Sequence, residues 1–320
     1  MAEYKVLIAD SRFPAYDEER EVLEKIGAEV IIEKSDDEDK ITRAAVDVDG
    51  LIVNLAPITA KVVSAMTKCR CVSRYGVGYD NVDAVALKAK AIFLANVPDY
   101  CGEDVSDHSF ALFMDCVRKT SRKDRLVRSG RWNLTAIQNV YRISGKTFGF
   151  VGYGMIAKFF HRKLSGFKLG RILITDPFVS EESAGQAGAE LVELDTLCKQ
   201  ADYISIHAPL LPSTRGLIAA RHFEMMKKTA ILINTSRGPL IDEKALIKAL
   251  KNEKIACAGL DVFENEPLEA DSELRKLENV TLTDHTGWYS EESMVEMKTK
   301  AAVNIADTLV KGRPTYVVEL

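Results

Sequence analysis

The sequence has few cysteines, and they do not form a recognisable cluster. Its 320 residues include six, scattered from Cys69 to Cys257, with no Cys-x-x-Cys pair and no grouping with histidine at zinc-ligand spacing. This pattern disfavours a disulfide scaffold and predicts no metal site. We expect reduced, structural thiols, with Cys101, on a loop, as the one to test for reactivity.

Long apolar runs and an excess of positive charge are also missing. No uncharged apolar stretch approaches the roughly 18 residues that a membrane helix requires, and the chain start lacks the features of a signal peptide. Lys and Arg number 43 against 47 Asp and Glu, a net charge of −4 with both signs interspersed. Without a basic stripe, nucleic acid is not an expected direct ligand. The sequence predicts a cytoplasmic protein without membrane partners.

Short apolar runs alternate with amphipathic stretches along most of the chain. A first series spans residues 6–94 and ends near the proline at 98, and a second spans residues 147–283. This alternation predicts parallel sheets with helices on both faces. One long helical region is expected over 103–129 and a last helix over 291–310. We place the last helix back on the first domain, which gives domains of 1–98 plus 291–320 and of 99–290.

A glycine-rich turn opens the second series. Residues 147–151 read as a strand, and Gly152-Tyr-Gly154-Met-Ile-Ala157 turns it into a helix. Gly152 permits the tight turn, Gly154 permits close approach of a pyrophosphate, and Ala157 is small enough for helix against strand. The helix N-terminus favours an anion. The alternative is a plain glycine turn, but the flanking strand and helix favour a dinucleotide site.

Asp176 ends the next predicted strand, 22 residues after Gly154. That spacing is typical of the acid that binds the adenosine ribose hydroxyls. Pro177 and Phe178 follow it, with no adjacent basic residue. Since a carboxylate repels a 2′-phosphate, the sequence predicts NAD over NADP, by roughly 2–3 kcal/mol. A surface aspartate without this role is the alternative.

Three further segments place polar residues just beyond predicted strands. Arg237 follows 231–234, Asp261 and Glu266 follow 258–260, and His285 follows 280–283. Carboxyl ends of parallel strands are where open α/β sheets hold ligands. An arginine, a carboxylate and a histidine converging there suit hydride transfer to a keto acid. Singly, each has an ordinary structural explanation: an ion-pair arginine, a solvated acid, a hydrogen-bonded loop histidine.

Several segments in one order resemble the D-isomer-specific 2-hydroxyacid dehydrogenases. The segment after residue 284 looks most like that of the C-terminal binding proteins, corepressors with a dehydrogenase fold. The matching motifs are Gly76-Val-Gly-Tyr-Asp-Asn-Val-Asp83, the Gly152 turn, His207-Ala-Pro-Leu210, Asn234-Thr-Ser-Arg-Gly238, Leu260-Asp-Val-Phe263 with Glu266-Pro267, and His285-Thr-Gly-Trp-Tyr-Ser290.

The resemblance implies an α/β fold of two doubly wound parallel-sheet domains: a flavodoxin-like substrate domain and a Rossmann NAD-binding domain, with the substrate in an interdomain cleft. It implies NAD as cofactor, a small 2-keto or 2-hydroxy acid as substrate, and a homodimer formed through the region 103–129. In its terms His285 is the general acid/base, Glu266 orients it and Arg237 binds substrate.

The resemblance also implies the binding residues. Substrate contacts would come from Arg74, Gly76, Val77, Gly78 and Trp288, of which Arg74 and Trp288 are the expected selectors. Cofactor contacts would come from Val77, Gly152, Gly154, Met155, Ile156, Asp176, Ala208, Thr235, Ser236, Asp261 and His285.

Two questions stay open at this level. Asp284 stands where many relatives have proline, and it could either act on His285 or face solvent. The substrate is not specified, although glyoxylate, hydroxypyruvate or a methylthio-keto acid are favoured over phosphoglycerate because few cationic residues can be placed. The alternatives to the enzyme are an NAD-sensing interaction protein with vestigial catalysis and a formate dehydrogenase-like relative. The intact Arg237, Glu266 and His285 disfavour the sensor, and the Glu266–His285 pair disfavours the formate dehydrogenase-like relative, whose chemistry needs no proton transfer to the substrate.

Overall fold

The chain divides into two units, seen in a computed structural model that describes residues 2–132 and 139–319. One unit comprises Met1–Cys101 with Ser290–Leu320, and the other comprises Gly102–Tyr289. The assignment of a substrate domain and an NAD-binding domain to these parts stays a prediction. Among the described residues, no helix is long and apolar enough to cross a membrane.

The described residues form twelve strands and twelve α-helices. In chain order the strands are β1 Tyr4–Ala9, β2 Ala28–Glu33, β3 Gly50–Val53, β4 Cys71–Arg74, β5 Phe93–Ala95, β6 Thr147–Val151, β7 Arg171–Thr175, β8 Glu190–Leu191, β9 Tyr203–Ile206, β10 Ile231–Asn234, β11 Cys257–Leu260 and β12 Val280–Leu282. The helices are α1 Asp17–Leu23, α2 Glu38–Ala44, α3 Ala60–Ala65, α4 Ala84–Ala89, α5 Gly102–Arg118, α6 Thr120–Arg128, α7 Met155–Lys163, α8 Glu181–Gln186, α9 Leu194–Gln200, α10 Ala220–Met225, α11 Glu243–Lys251 and α12 Glu291–Lys311.

The first unit is built on a five-stranded sheet in the order β2-β1-β3-β4-β5, parallel throughout. This is the flavodoxin-like order, as the fold prediction expected. Strand β3 is buried at every position, as befits a central strand of a parallel sheet. Helix α12 packs on it: a Cβ on Gly50 would lie 2.6 Å from Ile305 Cγ2. The glycine therefore admits the close approach of this C-terminal helix.

The second unit carries a seven-stranded parallel sheet in the order β12-β11-β10-β9-β6-β7-β8. The chain moves outward from β6 in one direction through β7 and β8, then returns to β9 and continues the other way. The strand order thus reverses between β6 and β9, which is the Rossmann arrangement that was predicted. Ligands of such sheets bind at the carboxyl end of this switch point.

The structure corrects three predicted boundaries. The long helical region expected over 103–129 consists of two helices, because Lys119 adopts a left-handed conformation with φ 57° between α5 and α6. The first series also predicts a helix near 82–89, and α4 begins later, at Ala84, because the Asp83 carboxylate accepts the N–H of Ala86 at 2.9 Å. Helix α12 runs to Lys311, one residue beyond the prediction, and ends at the left-handed Gly312.

The cysteines are free thiols, all of them buried. Cys101, our choice for a reactivity test, is only 3% exposed. Reactive thiols are accessible and held near positive charge. Burial therefore makes Cys101 a poor candidate for modification.

Candidate active site

The glycine turn lies at the switch point, between β6 and α7. Gly152 has φ 84°, and a Cβ there would lie 2.7 Å from the backbone N of Ala208 and the carbonyl carbon of His207. The turn therefore packs directly on the chain that leaves β9. Ala157 is fully buried in the first turn of α7. Both observations agree with the predicted tight turn and close helix packing.

The start of helix α7 is open. Its N-cap residue is Gly154, which has no side chain to cap the first N–H groups of the helix. A Cβ on Gly154 would meet nothing within 4 Å. Free N–H groups at a helix start, beside empty space, form a site for an anion such as a pyrophosphate.

Asp176 joins the end of β7 to this turn. Its Oδ2 accepts the N–H of Tyr153 at 2.7 Å, and its Oδ1 accepts the N–H of Phe178 at 2.8 Å. The carboxylate is partly exposed, so its remaining lone pairs can accept hydroxyl groups. The structure thus places a fixed negative charge beside the open helix start.

His285 and Glu266 form a hydrogen-bonded pair beyond β12 and β11. His285 Nδ1 lies 2.6 Å from Glu266 Oε2, with both side chains about one-quarter exposed. Glu266 Oε1 accepts the N–H of Phe263 at 2.9 Å. Burial acts to raise the pKa of Glu266, but the hydrogen bond and charge of His285, the Phe263 N–H and the charge of Arg237 together lower it. The arrangement therefore keeps Glu266 a charged carboxylate directly beside the imidazole.

Arg237 lies in a tightly packed loop that follows β10. The buried Asn234 donates from Nδ2 to the Arg237 carbonyl at 2.9 Å and accepts the N–H of Ser236 at 3.1 Å. A Cβ on Gly238 would overlap the carbonyl group of Phe263, so this loop lies directly against the loop that carries Glu266. The predicted trio therefore converges. Asn234 was missed as a positioning residue, although its place just before Ser and Arg in the Asn-Thr-Ser-Arg motif was a usable signal.

The loop of His285 is held by Asp261. This carboxylate, 1% exposed, accepts hydrogen bonds from Thr283 Oγ1 at 2.6 Å, Thr286 N at 3.1 Å and Gly287 N at 2.9 Å. Burial acts to raise the pKa of Asp261, and the bonds from His108, Thr283 and Gly287 lower it. Asp261 was predicted as a cofactor contact, which stays a prediction. The structure shows it organising the segment 283–287, together with His108, whose Nε2 lies 2.9 Å from Thr283 Oγ1.

His285 itself has a left-handed backbone with φ 58°, a conformation uncommon outside glycine. Trp288 stabilises it by donating from Nε1 to the His285 carbonyl at 3.1 Å. Asp284, whose role was open, is exposed and accepts the Thr286 hydroxyl at 3.0 Å. Of the two alternatives, Asp284 therefore faces solvent.

The other predicted cofactor residues of this unit surround the same strand ends. Met155 is 39% exposed, whereas Ala208 and Thr235 are each 9% exposed. Thr235 Oγ1 lies 2.7 Å from Ser109 Oγ, and Ser236 Oγ donates to the Ile206 carbonyl at 2.9 Å. Ile156 is half-buried in the first turn of α7.

His207, beside Gly152, is held neutral. Its Nε2 lies 2.8 Å from Ser205 Oγ. Its Nδ1 is buried, with no hydrogen-bond partner among the described residues. Burial lowers the pKa of His207 to about 3. A neutral imidazole here is not an acid catalyst at ordinary pH.

In the first unit, the predicted substrate loop follows β4. Gly76 has φ 108° and its carbonyl accepts the N–H of Val97 at 3.0 Å, while the Val77 carbonyl accepts Asn96 Nδ2 at 2.8 Å. Within the described parts of the chain, no acceptor receives the N–H groups of residues 76, 77 and 78. Successive free N–H groups of this kind form an anion-binding nest. Arg74 packs its guanidinium against Gly76.

Comparison with known proteins gives one consistent picture. The family description "D-isomer specific 2-hydroxyacid dehydrogenase, NAD binding domain" matches residues 110–287. A glyoxylate reductase from Korarchaeum cryptofilum is 41% identical over 263 residues, 81% of this chain and 79% of that protein. A D-3-phosphoglycerate dehydrogenase from Archaeoglobus fulgidus is 33% identical over 311 residues, 97% of this chain and 58% of its own length.

Solved structures agree. The crystal structure of a glyoxylate reductase from Paecilomyes thermophila superposes with a TM-score of 0.89 at 26% identity, covering 99% of this chain and 98% of that one. The relatives with these long alignments are glyoxylate reductases and phosphoglycerate dehydrogenases, not C-terminal binding proteins. The expected likeness to the C-terminal binding protein subgroup was wrong, because it relied on one six-residue segment around Trp288.

Proposed function

The chain belongs to the D-isomer specific 2-hydroxyacid dehydrogenase family, and on that premise we propose that it interconverts a small 2-keto acid and the D-2-hydroxy acid with NAD as the cofactor. The coarser activity, an NAD(P)-dependent oxidoreductase of the glyoxylate reductase type, follows from the family itself. The observation that carries the finer proposal is the 2.6 Å pair of His285 and Glu266, with the charge of Arg237 near enough to help lower the pKa of Glu266.

The glycine turn has the features needed for NAD. Gly154 leaves open space at an uncapped helix start, and Asp176 can accept the ribose hydroxyls while repelling a 2′-phosphate. We assign the pyrophosphate to Gly152 and Gly154 and the adenosine ribose to Asp176. When bound, the reduced nicotinamide supplies the hydride that is added to the keto carbon.

The chain's own residues handle the charge and the proton. Arg237 presents a planar fork of donors suited to the substrate carboxylate and keto oxygen. Since His285 Nδ1 is bonded to Glu266, Nε2 is the ring atom left to hold a proton and give it to the keto oxygen. Glu266 keeps the imidazole oriented through its bond to Nδ1. We assign the free N–H groups of residues 76–78 to the substrate carboxylate.

Turnover of a keto-acid panel tests this function. NADH oxidation would be followed with glyoxylate, hydroxypyruvate, pyruvate, a methylthio-keto acid and phosphohydroxypyruvate. We expect a kcat of about 1–10³ s⁻¹ on one of the small acids. Tight NADH binding without turnover on any of them would contradict the enzyme and favour an NAD-sensing protein.

The pH profile tests the role of Glu266. Reduction needs the protonated imidazole, so kcat/KM is expected to fall as pH rises and His285 loses its proton. The contact with His285 helps to lower the pKa of Glu266, and Glu266→Gln removes that negative charge from beside the proton donor. Glu266→Gln is therefore expected to move the fall in kcat/KM to lower pH. The measurement is the pH dependence of kcat/KM, and an unmoved profile would argue against the assigned role.

Glu264→Gln is the matched control for this experiment. Glu264 is an exposed acid in the same loop, and its backbone N–H, rather than its side chain, bonds to Glu243. Its replacement removes one nearby charge without touching the imidazole. We expect its pH profile to match that of the wild type.

A further inference from the structure

A buried ion pair joins the two ends of the first unit. Glu19 on α1 is fully buried, and the Lys298 side chain on α12 is 4% exposed. Lys298 Nζ lies 3.5 Å from Glu19 Oε2, donates to the Ala15 carbonyl at 2.9 Å, and bonds to Glu18. Charged side chains are seldom fully buried, since their desolvation is costly unless they are paired. Lys298 therefore ties α12 to α1 through three separate contacts.

Tyr75 connects that pair to the predicted substrate loop. The Tyr75 hydroxyl donates to Glu19 Oε1 at 2.5 Å, and the residue is 1% exposed. Its ring packs edge-on against Phe13, with centroids 5.5 Å apart. Its backbone N–H donates to the Val53 carbonyl at 2.9 Å. Tyr75 is therefore held by both its backbone and its side-chain hydroxyl, and it immediately precedes Gly76.

The loop needs such an anchor because its own residues are permissive. Gly76 has a positive φ of 108°. Because glycine has no Cβ, it adopts positive and negative φ about equally readily, so its own backbone preference does not hold this conformation. The carbonyls of Gly76 and Val77 are fixed by Val97 and Asn96. The entry of the chain into the loop is set by Tyr75. Together these contacts decide where the three free N–H groups point.

We propose that Glu19, Tyr75 and Lys298 act as positioning residues that hold the loop 76–78 in the geometry that binds the substrate carboxylate. The inference rests on the proposed function, since it assumes that the loop binds this carboxylate. None of the three residues touches the reacting atoms. Their effect is on the placement of backbone donors, and small misplacements of such donors are costly.

Tyr75→Phe is the sharpest test, because it removes one oxygen atom and keeps the ring. We expect the KM for the keto acid to rise about tenfold, with kcat changed less than twofold and the Kd for NADH unchanged. Glu19→Gln keeps a hydrogen-bonding partner for the Tyr75 hydroxyl, and Lys298 keeps Ala15 and Glu18. Its KM is expected to stay within about threefold of the wild type.

Arg70→Met is the matched control. The Arg70 guanidinium ties the other end of β4 to α12, donating to the carbonyls of Leu309 at 3.1 Å and Thr308 at 2.9 Å. Its loss is expected to lower Tm without changing the KM. If Arg70→Met raised the KM as much as Tyr75→Phe at a similar loss in Tm, general destabilisation would explain both variants and the positioning role would be overturned.

Amide hydrogen exchange gives a readout that does not depend on activity. The Val97 N–H is bonded to the Gly76 carbonyl, so a loosened loop exposes it to exchange. We expect faster exchange at Val97 in Tyr75→Phe and no change in Arg70→Met. Unchanged exchange at Val97 in Tyr75→Phe overturns the inference, whether or not the wild-type protein turns over a keto acid. Faster exchange with wild-type inactivity on every acid contradicts the proposed function alone.

Discussion

His285→Ala is expected to lower kcat for keto-acid reduction by roughly 10²–10⁴-fold, the range for loss of a general acid. The variant loses the proton donor that Glu266 holds at 2.6 Å. The glycine turn is untouched, so the Kd for NADH is expected to change little. The measurement is NADH oxidation under saturating keto acid, with NADH binding followed separately by fluorescence.

The matched control is His222→Asn. His222 is 2% exposed and its Nδ1 accepts the N–H of Ala219 at 2.9 Å, at the start of α10. This histidine supports a helix rather than the site, so its replacement is expected to lower Tm and leave kcat unchanged. A His285→Ala variant that retains more than about a tenth of wild-type kcat would contradict the general-acid role.

Cofactor choice is the second large effect. We expect kcat/KM with NADH to exceed that with NADPH by about 30–150-fold, which corresponds to roughly 2–3 kcal/mol. The fixed carboxylate of Asp176, bonded to the N–H groups of Tyr153 and Phe178, would lie against the 2′-phosphate of NADPH. Asp176→Ser removes that repulsion and is expected to raise kcat/KM for NADPH while lowering it for NADH.

Glu182→Gln controls for a general change in surface charge. Glu182 is an exposed acid on α8, bonded to Gln186 at 3.3 Å and not to the glycine turn. Its replacement is expected to leave the ratio of the two cofactors unchanged. Comparable kcat/KM values for NADH and NADPH in the wild-type protein would refute the assigned preference.

Much of the fold was readable because its signals are local. A buried parallel strand is a short apolar run, as in Thr147–Val151, which was predicted with its observed bounds. The glycine turn is specified by residues next to one another, and Gly152 indeed packs on the next strand's end. The break between α5 and α6 was not predicted, because no residue near Lys119 indicates the left-handed backbone that Lys119 adopts.

The site was only partly readable for the same reason. Arg237, Glu266 and His285 could be placed at strand ends, and the parallel sheet then brings such ends to one edge. The role of Asp261 in holding the segment 283–287 could not be predicted, because it depends on which later residues the fold brings next to the carboxylate. Its partners Thr283, Thr286 and Gly287 lie 22 to 26 residues away in the chain.

The sequence by itself determined the strand and helix pattern, the glycine turn, the acid that follows β7 and the identity of the charged residues at the strand ends. The tertiary structure alone decided which side chains meet. The Tyr75 hydroxyl bonds to Glu19, 56 residues away in the chain, and Lys298 bonds to Glu18, 280 residues away. Such contacts depend on how α1, β4 and α12 pack together. No local propensity encodes that packing, because it is set by burial of apolar faces across the whole unit.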